Sequence, residues 1–193
     1  MTRGWTRRLV AGLAAGAVVL SGCSERQEAN DTLPEADASP GASESELSPL
    51  GPPDLPMPAE ARTQDAAGAE AFVRYYIDLI NRTSTVMDAA PLREFSDGCS
   101  ECDRIATDTE NDAAAGYHYE DGEITIVWIQ ALEPQAEAEI AFFGDQAALR
   151  VVDASGSTVE DLTFPALSNM SSGALARWDA ERTSWVLTSL TLG

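Results

Sequence analysis

The sequence predicts an α+β domain in which helices come first and an antiparallel sheet follows, set behind a leader and an acidic tether. Three observations carry this. A broad apolar stripe at helical spacing follows Asp65. From about Tyr117 onward the chain breaks into short β-rich runs separated by turn residues. Helical and strand-like stretches are segregated in the chain, the order of an α+β fold and not of an alternating one.

The leader occupies residues 1–22. Arg3, Arg7 and Arg8 make a positive start, and Leu9–Leu20 is an apolar run too short to span a bilayer, which needs about 20 residues. Leu20-Ser21-Gly22-Cys23 closes it with small residues before a thiol. The arrangement resembles the lipobox of bacterial lipoproteins. It implies a signal peptide over 1–22, acylation of Cys23, and a membrane partner reached through that lipid anchor on the extracytoplasmic face.

Residues 23–58 read as a disordered tether, rich in Glu, Asp, Ser and Pro and without an aromatic residue. The prolines of the segment from Leu50 to Pro58 favour an extended spacer. Residues 59–193 read as the single α+β domain.

Charge bounds the partners. The formal net charge is −20, all twelve Lys+Arg positions are Arg, and loss of the leader's arginines makes the mature chain more acidic still. Such a field repels phosphate backbones, which argues against nucleic acid, and it suits cations, a basic partner or simple solubility.

Within the domain, Asp65 is the expected N-cap of a helix running to about Asn81 or a little beyond. Phe72, Tyr76, Leu79 and Thr83 form its stripe, with Val73, Ile77 and Ile80 beside them. Glu70 with Arg74, and Asp78 with Arg82, are the expected i,i+4 pairs. Pro91–Phe95 begins a short second helix and about Cys102–Ala114 a third. Asp121-Gly122 predicts a tight turn between Tyr117–Glu120 and Glu123–Leu132. Gly144-Asp145 predicts another, between Glu137–Phe143 and Ala147–Asp153. Val159–Phe164 reads as a weak strand. Ala174–Trp178 and Ser184–Leu192 read as a final hairpin, with Trp185, Leu187 and Ser189 on one face and Val186, Thr188 and Leu190 on the other.

Four segments together, Pro56–Ala61, Gly68–Asn81, Pro91–Arg93 and Cys99-x-x-Cys102, resemble an actinobacterial lipoprotein family catalogued as domain of unknown function 6318. The resemblance covers the tether end and the first half of the domain, and the sheet half loosely. It implies a ketosteroid-isomerase-like cone, in which a long helix packs in a curved antiparallel sheet. It implies an extracytoplasmic location and no reaction.

Candidate chemistry is sparse. Cys99-Ser100-Glu101-Cys102 reads as a structural disulfide, a redox-active pair or part of a metal site. With Cys23 acylated, the two remaining cysteines make an even pair for an oxidising compartment, and the acids Asp97, Glu101 and Asp103 disfavour a reactive thiolate. A metal site lacks soft ligands beyond His118, the sole histidine, whose ordinary reading is a strand position. Tyr75, Tyr76, Trp128, Trp178 and Trp185 are the aromatics that either fill the core or line a cone pocket. Isomerase relatives of the cone class place Asp and Tyr in that pocket, and no carboxylate of this chain, Asp78 included, aligns with their catalytic positions. The sequence assigns no catalytic, cofactor-binding or metal residue. The expected function is a non-enzymatic domain, tethered to the membrane, that binds an unidentified protein or small molecule. The alternatives are an isomerase- or hydrolase-like pocket enzyme and a thiol–disulfide accessory protein.

Overall fold

Asp65 accepts a hydrogen bond from the Gly68 amide at 2.7 Å and starts helix α1, Ala66–Val86. The computed structural model describes residues 48–132 and 136–193; the leader, Cys23 and the tether up to residue 47 lie outside them. Phe72, Val73, Tyr76, Leu79 and Thr83 of α1 are at most 1% exposed, the stripe expected from their spacing. The helix continues to Val86, and in its last turn the Ser84 and Thr85 hydroxyls bond back to the carbonyls of Ile80 and Asn81. Met87, at φ 56°, closes it. Helix α2 is Ala90–Glu94, with Pro91 in its first turn, and helix α3 is Ser100–Ala115, ended by Gly116 at φ 78°.

Six strands follow: β1 His118–Asp121, β2 Ile124–Ala131, β3 Glu137–Gln146, β4 Leu149–Val152, β5 Leu167–Asp179 and β6 Ser184–Thr191. Strands β2, β3, β5 and β6 form an antiparallel meander, and β1 pairs with β4 in a small second sheet. Register shifts in all three pairings of the meander bend it around the helices. The result is α+β, with the N-terminal helices packed on one face of a curved antiparallel sheet. Phe72, Tyr76 and Leu79 of that helix side and Ile140, Phe142, Trp185 and Leu187 of the sheet are all buried in one core.

Both edges of the meander are covered, as exposed strand edges must be. On β2, Asn81 brackets Ile124 with two bonds of 2.9 Å, and Glu70 accepts from the Ala131 amide at 2.9 Å. On β6, Leu187 exchanges bonds of 2.9 Å with Phe95 and Asp97.

Several sequence expectations change. Asp121-Gly122 does turn the chain, with φ of 61° and 83°, but carries it from one sheet to the other, because β1 pairs with β4 from Asp121↔Leu149 to His118↔Val152. Gly144-Asp145 is not a turn: β3 runs through it. The glycine is needed because a Cβ there would sit 3.0 Å from the Thr125 carbonyl oxygen of the neighbouring strand. Val159–Phe164 holds a 3-10 turn over Glu160–Leu162 and only an isolated bridge from Phe164 to Leu149. In β6 the register shifts between Leu175 and Ala176, opposite Thr188, so Leu190 joins Trp185 and Leu187 in the core instead of sharing a face with Val186. The i,i+4 pairs do not form: Glu70 holds Ala131, and Arg82 binds Asp54 at 2.7 Å and Asp88 at 3.2 Å.

The tether boundary also moves. Residues 48–58, assigned above to the spacer, pack on the domain. Met57 is 7% exposed and lies in the core cluster, with Leu50 and Leu55 against it. The Met57 amide bonds the Leu50 carbonyl at 2.8 Å, and Tyr75 donates to the Leu55 carbonyl at 3.2 Å. The segment is not the extended spacer expected: Gly51 at φ 88° and the Leu55 amide bonded to the Pro52 carbonyl at 2.9 Å turn the chain back, which brings Leu50, Leu55 and Met57 onto the domain.

Candidate functional site

Cys99 is the N-cap of α3, and its Sγ accepts from the Cys102 amide at 3.2 Å. The two cysteines form a disulfide, and each is 1% exposed. A reactive CxxC pair presents a sulfur to its partner; here both lie under the junction of α2 and α3. The flanking acids are each balanced by an arginine: Asp97 by Arg177, Glu101 by Arg104 and Asp103 by Arg93. The disulfide pins the start of α3 against the core.

His118 is exposed on β1, with Nδ1 placed 2.6 Å from the carbonyl of Tyr117. Among the described residues no group of three or more His, Cys, Asp or Glu side chains is placed to hold a metal ion.

The aromatics divide. Tyr75, Tyr76 and Trp185 are at most 2% exposed. Burial pushes the phenols of Tyr75 and Tyr76 up to about 12, so both are neutral donors, Tyr76 to the Leu92 carbonyl at 3.0 Å. Trp178 lies edge-on to Trp185 with ring centres 5.2 Å apart. Trp128 instead stands on the outer face of the sheet, 42% exposed, 5.5 Å from the Phe143 ring. Four of the five candidate pocket aromatics thus lie in or against the core, and the fifth faces outward.

Two adjoining clefts lie where α1 meets the start of β2. One, of about 270 Å³, is lined by Arg74, Asp78, Asn81 and Glu123 among others; the other, of about 550 Å³, shares Asn81 and Glu123 and adds Tyr119 and Asp121. Their walls are polar. Partial shielding from water raises the Asp78 carboxyl from its ordinary value, the Glu123 charge adds to this, and Arg74 opposes it. Nothing in the sequence pairs Asp78 with Glu123, which lie on different elements and meet only through the docking of α1 on β2. Three of the clefts' other polar groups are committed elsewhere: Asn81 to Ile124, Arg82 to Asp54 and Asp88, Tyr119 to Asp112 at 2.5 Å.

A carboxyl raised by folding binds its proton more readily in the native state than in the unfolded one. Its relative contribution is therefore favourable at low pH and is lost as pH rises through the raised value. Asp78 is exposed, so solvent screens much of this effect; Asp78→Asn is expected to raise the melting temperature slightly at neutral pH, with the gain shrinking toward acid. Melting curves of both proteins across that range check it; a difference independent of pH contradicts it.

No family model and no curated protein matches the chain. Similarity is found to solved structures. The intermembrane space region of the chloroplast protein ARC6 has a TM-score of 0.48 and 14% identity, covering 66% of this chain and 95% of that one. Aln2 from a Streptomyces species has a TM-score of 0.36 and 10% identity, covering 63% and 89%. At these values neither lends this chain a function.

Proposed function

We propose that the protein is a lipid-anchored, extracytoplasmic binding domain that engages a partner protein or small ligand through its outer surface and catalyses no reaction. The observation that carries this reading is the filled interior. Where isomerases of the cone class keep a pocket between helix and sheet, this chain places Phe72, Tyr76, Ile140, Phe142 and Trp185, all at most 1% exposed. A buried disulfide is consistent with an oxidising compartment, and the leader with its Cys23 supplies the route and the anchor. Among the described residues no helix is long and apolar enough to cross a membrane.

Cys23→Ala is expected to abolish fatty-acid labelling and to move the protein from the detergent phase to the aqueous phase. Equal labelling of wild type and variant removes the anchor from the proposal. For the binding role, a photo-crosslinking residue is introduced at single exposed positions around the domain in cells that export it. A discrete adduct from at least one face is expected. Silence from every face, together with loss of function in Asp78→Asn, transfers the case to an enzyme working in the cleft.

A further inference from the structure

We propose that the outer face of the four-stranded sheet is a trough that docks a basic amphipathic helix of a partner protein; this rests on the binding role above and names its site and its partner.

The alternation of the strands builds the trough. Trp128, Phe143 and Ser171 are cross-strand neighbours and form one row across the outer face. Leu132, whose amide bonds the Glu139 carbonyl at 2.9 Å, forms a second row with Glu139 and Leu175. Between them runs the row Gln130, Ala141, Gly173 and Thr191, in which Ala141 and Gly173 are paired with each other. The outer rows stand four residues apart along each strand, roughly 13 Å, and an α-helix with its side chains is about 10–12 Å across. Each bank presents large apolar side chains to solvent: Trp128 is 42%, Phe143 37%, Leu132 59% and Leu175 41% exposed. The floor is lowest at its centre, over Ala141 and Gly173, and polar at its two ends, Gln130 and Thr191.

Gly173 points the same way independently. A glycine inside a central strand weakens it, and it is kept where the backbone must bend, where a neighbour crowds it, or where something approaches closely. Gly173 has no positive φ, and a Cβ there would meet only the Ile140 carbonyl oxygen at 3.5 Å, an ordinary contact. The fold does not need it. Gly144, in contrast, is crowded by its neighbouring strand at 3.0 Å. An approaching partner accounts for the bare position at Gly173.

Charge selects the partner. Glu139 lies in one bank, with Glu137 beyond it, and Asp145 lies beyond the other. Arg177, the basic residue opposite Glu137, is held by Asp97 at 3.1 Å. The acidic rim favours Lys or Arg flanking an apolar stripe. A second copy would bring the same acidic rim and a chain of formal charge −20, and an anionic lipid surface is repelled for the same reason.

The test uses the full chain in zwitterionic-lipid nanodiscs and a synthetic helical peptide with leucines on one face and lysines on the other, with a leucine–glutamate peptide as its counterpart. Binding is read by anisotropy, against empty nanodiscs. The basic peptide is expected to bind and to weaken with salt, and the acidic one not to bind. Gly173→Phe, which fills the floor, and Trp128→Ala, at an exposed bank, are each expected to weaken binding at least tenfold without changing net charge. The two variants act on separate residues, so a folding defect in one leaves the other decisive. Unchanged affinity in both folded variants means that the acidic surface attracts the peptide indiscriminately, and overturns the proposal. It is also overturned by tight vesicle binding that Trp128→Ala abolishes, or by a dimer in sedimentation that Gly173→Phe dissolves. Crosslinks from another face with no peptide binding here sink the trough alone; crosslinks from no face sink the binding role with it.

Discussion

A chain that begins at Ala59 is expected to melt roughly 10 °C below one that begins at Ser48, although the removed segment contains no regular element. Met57 is 7% exposed, packs in the core cluster and receives the Ser184 hydroxyl at 3.4 Å. Losing a buried methionine side chain costs on the order of 2–3 kcal/mol. Asp54 adds a two-pronged contact with Arg82, at 2.7 and 3.0 Å, worth little because Asp54 is exposed. The Tyr75 hydroxyl loses the Leu55 carbonyl. The sum is about 3 kcal/mol, and a domain of this size loses a few degrees for each. Thermal melts of the two chains decide it. Equal melting temperatures would mean that residues 48–58 rest on the surface without stabilising it, and would restore the boundary at residue 58.

The reason that this segment escaped a reading of the sequence also explains what else did. Local rules are written within a few residues. The Asp65 cap, the stripe from Phe72 to Thr83 and the Pro91 turn were legible because each depends on neighbours within two helical turns. The Cys99–Cys102 pair was legible for the same reason, its partners standing three residues apart. The pairing of β1 with β4, the continuity of β3 through Gly144 and the shift opposite Thr188 depend on neighbours far away in the chain. A glycine required by the Thr125 carbonyl of the next strand looks, in sequence, the same as a glycine required by a turn. The candidate sites are nonlocal throughout. Asp78 meets Glu123 across the α1–β2 contact, and the trough appears only when Trp128, Phe143, Gly173 and Leu175 from three strands are set side by side. Even the fate of the charges is nonlocal: Arg82 was four residues from Asp78 and found Asp54 and Asp88 instead.

Trp185→Ala is expected to be the most damaging single substitution. Trp185 is 0% exposed in β6, and its ring lies 5.2 Å from that of Trp178 in an edge-on arrangement. Its indole Nε1 donates to the Thr63 carbonyl at 2.9 Å, in the segment just before α1. That carbonyl is also closely approached from the other side. A Cβ on Gly68 would fall 2.1 Å from the same oxygen, so the first turn of α1 closes on it and only glycine fits. Trp185 thereby ties the last strand to the start of the long helix, and its loss both opens a cavity and frees the segment that leads into Asp65. Removing a buried tryptophan costs about 3–5 kcal/mol, and a domain has about 5–15 in all. Trp185→Phe separates the two contributions. It retains most of the apolar volume and leaves the Thr63 carbonyl without its donor, a loss of about 1–3 kcal/mol. Urea unfolding of wild type and both variants, with the slope compared to confirm the same transition, is expected to rank them wild type, Phe, Ala. If Ala costs less than about 1 kcal/mol, the site collapses around the gap and Trp185 is not the tie. If Phe costs as much as Ala, the hydrogen bond to Thr63, and not the ring's volume, holds the helix to the sheet.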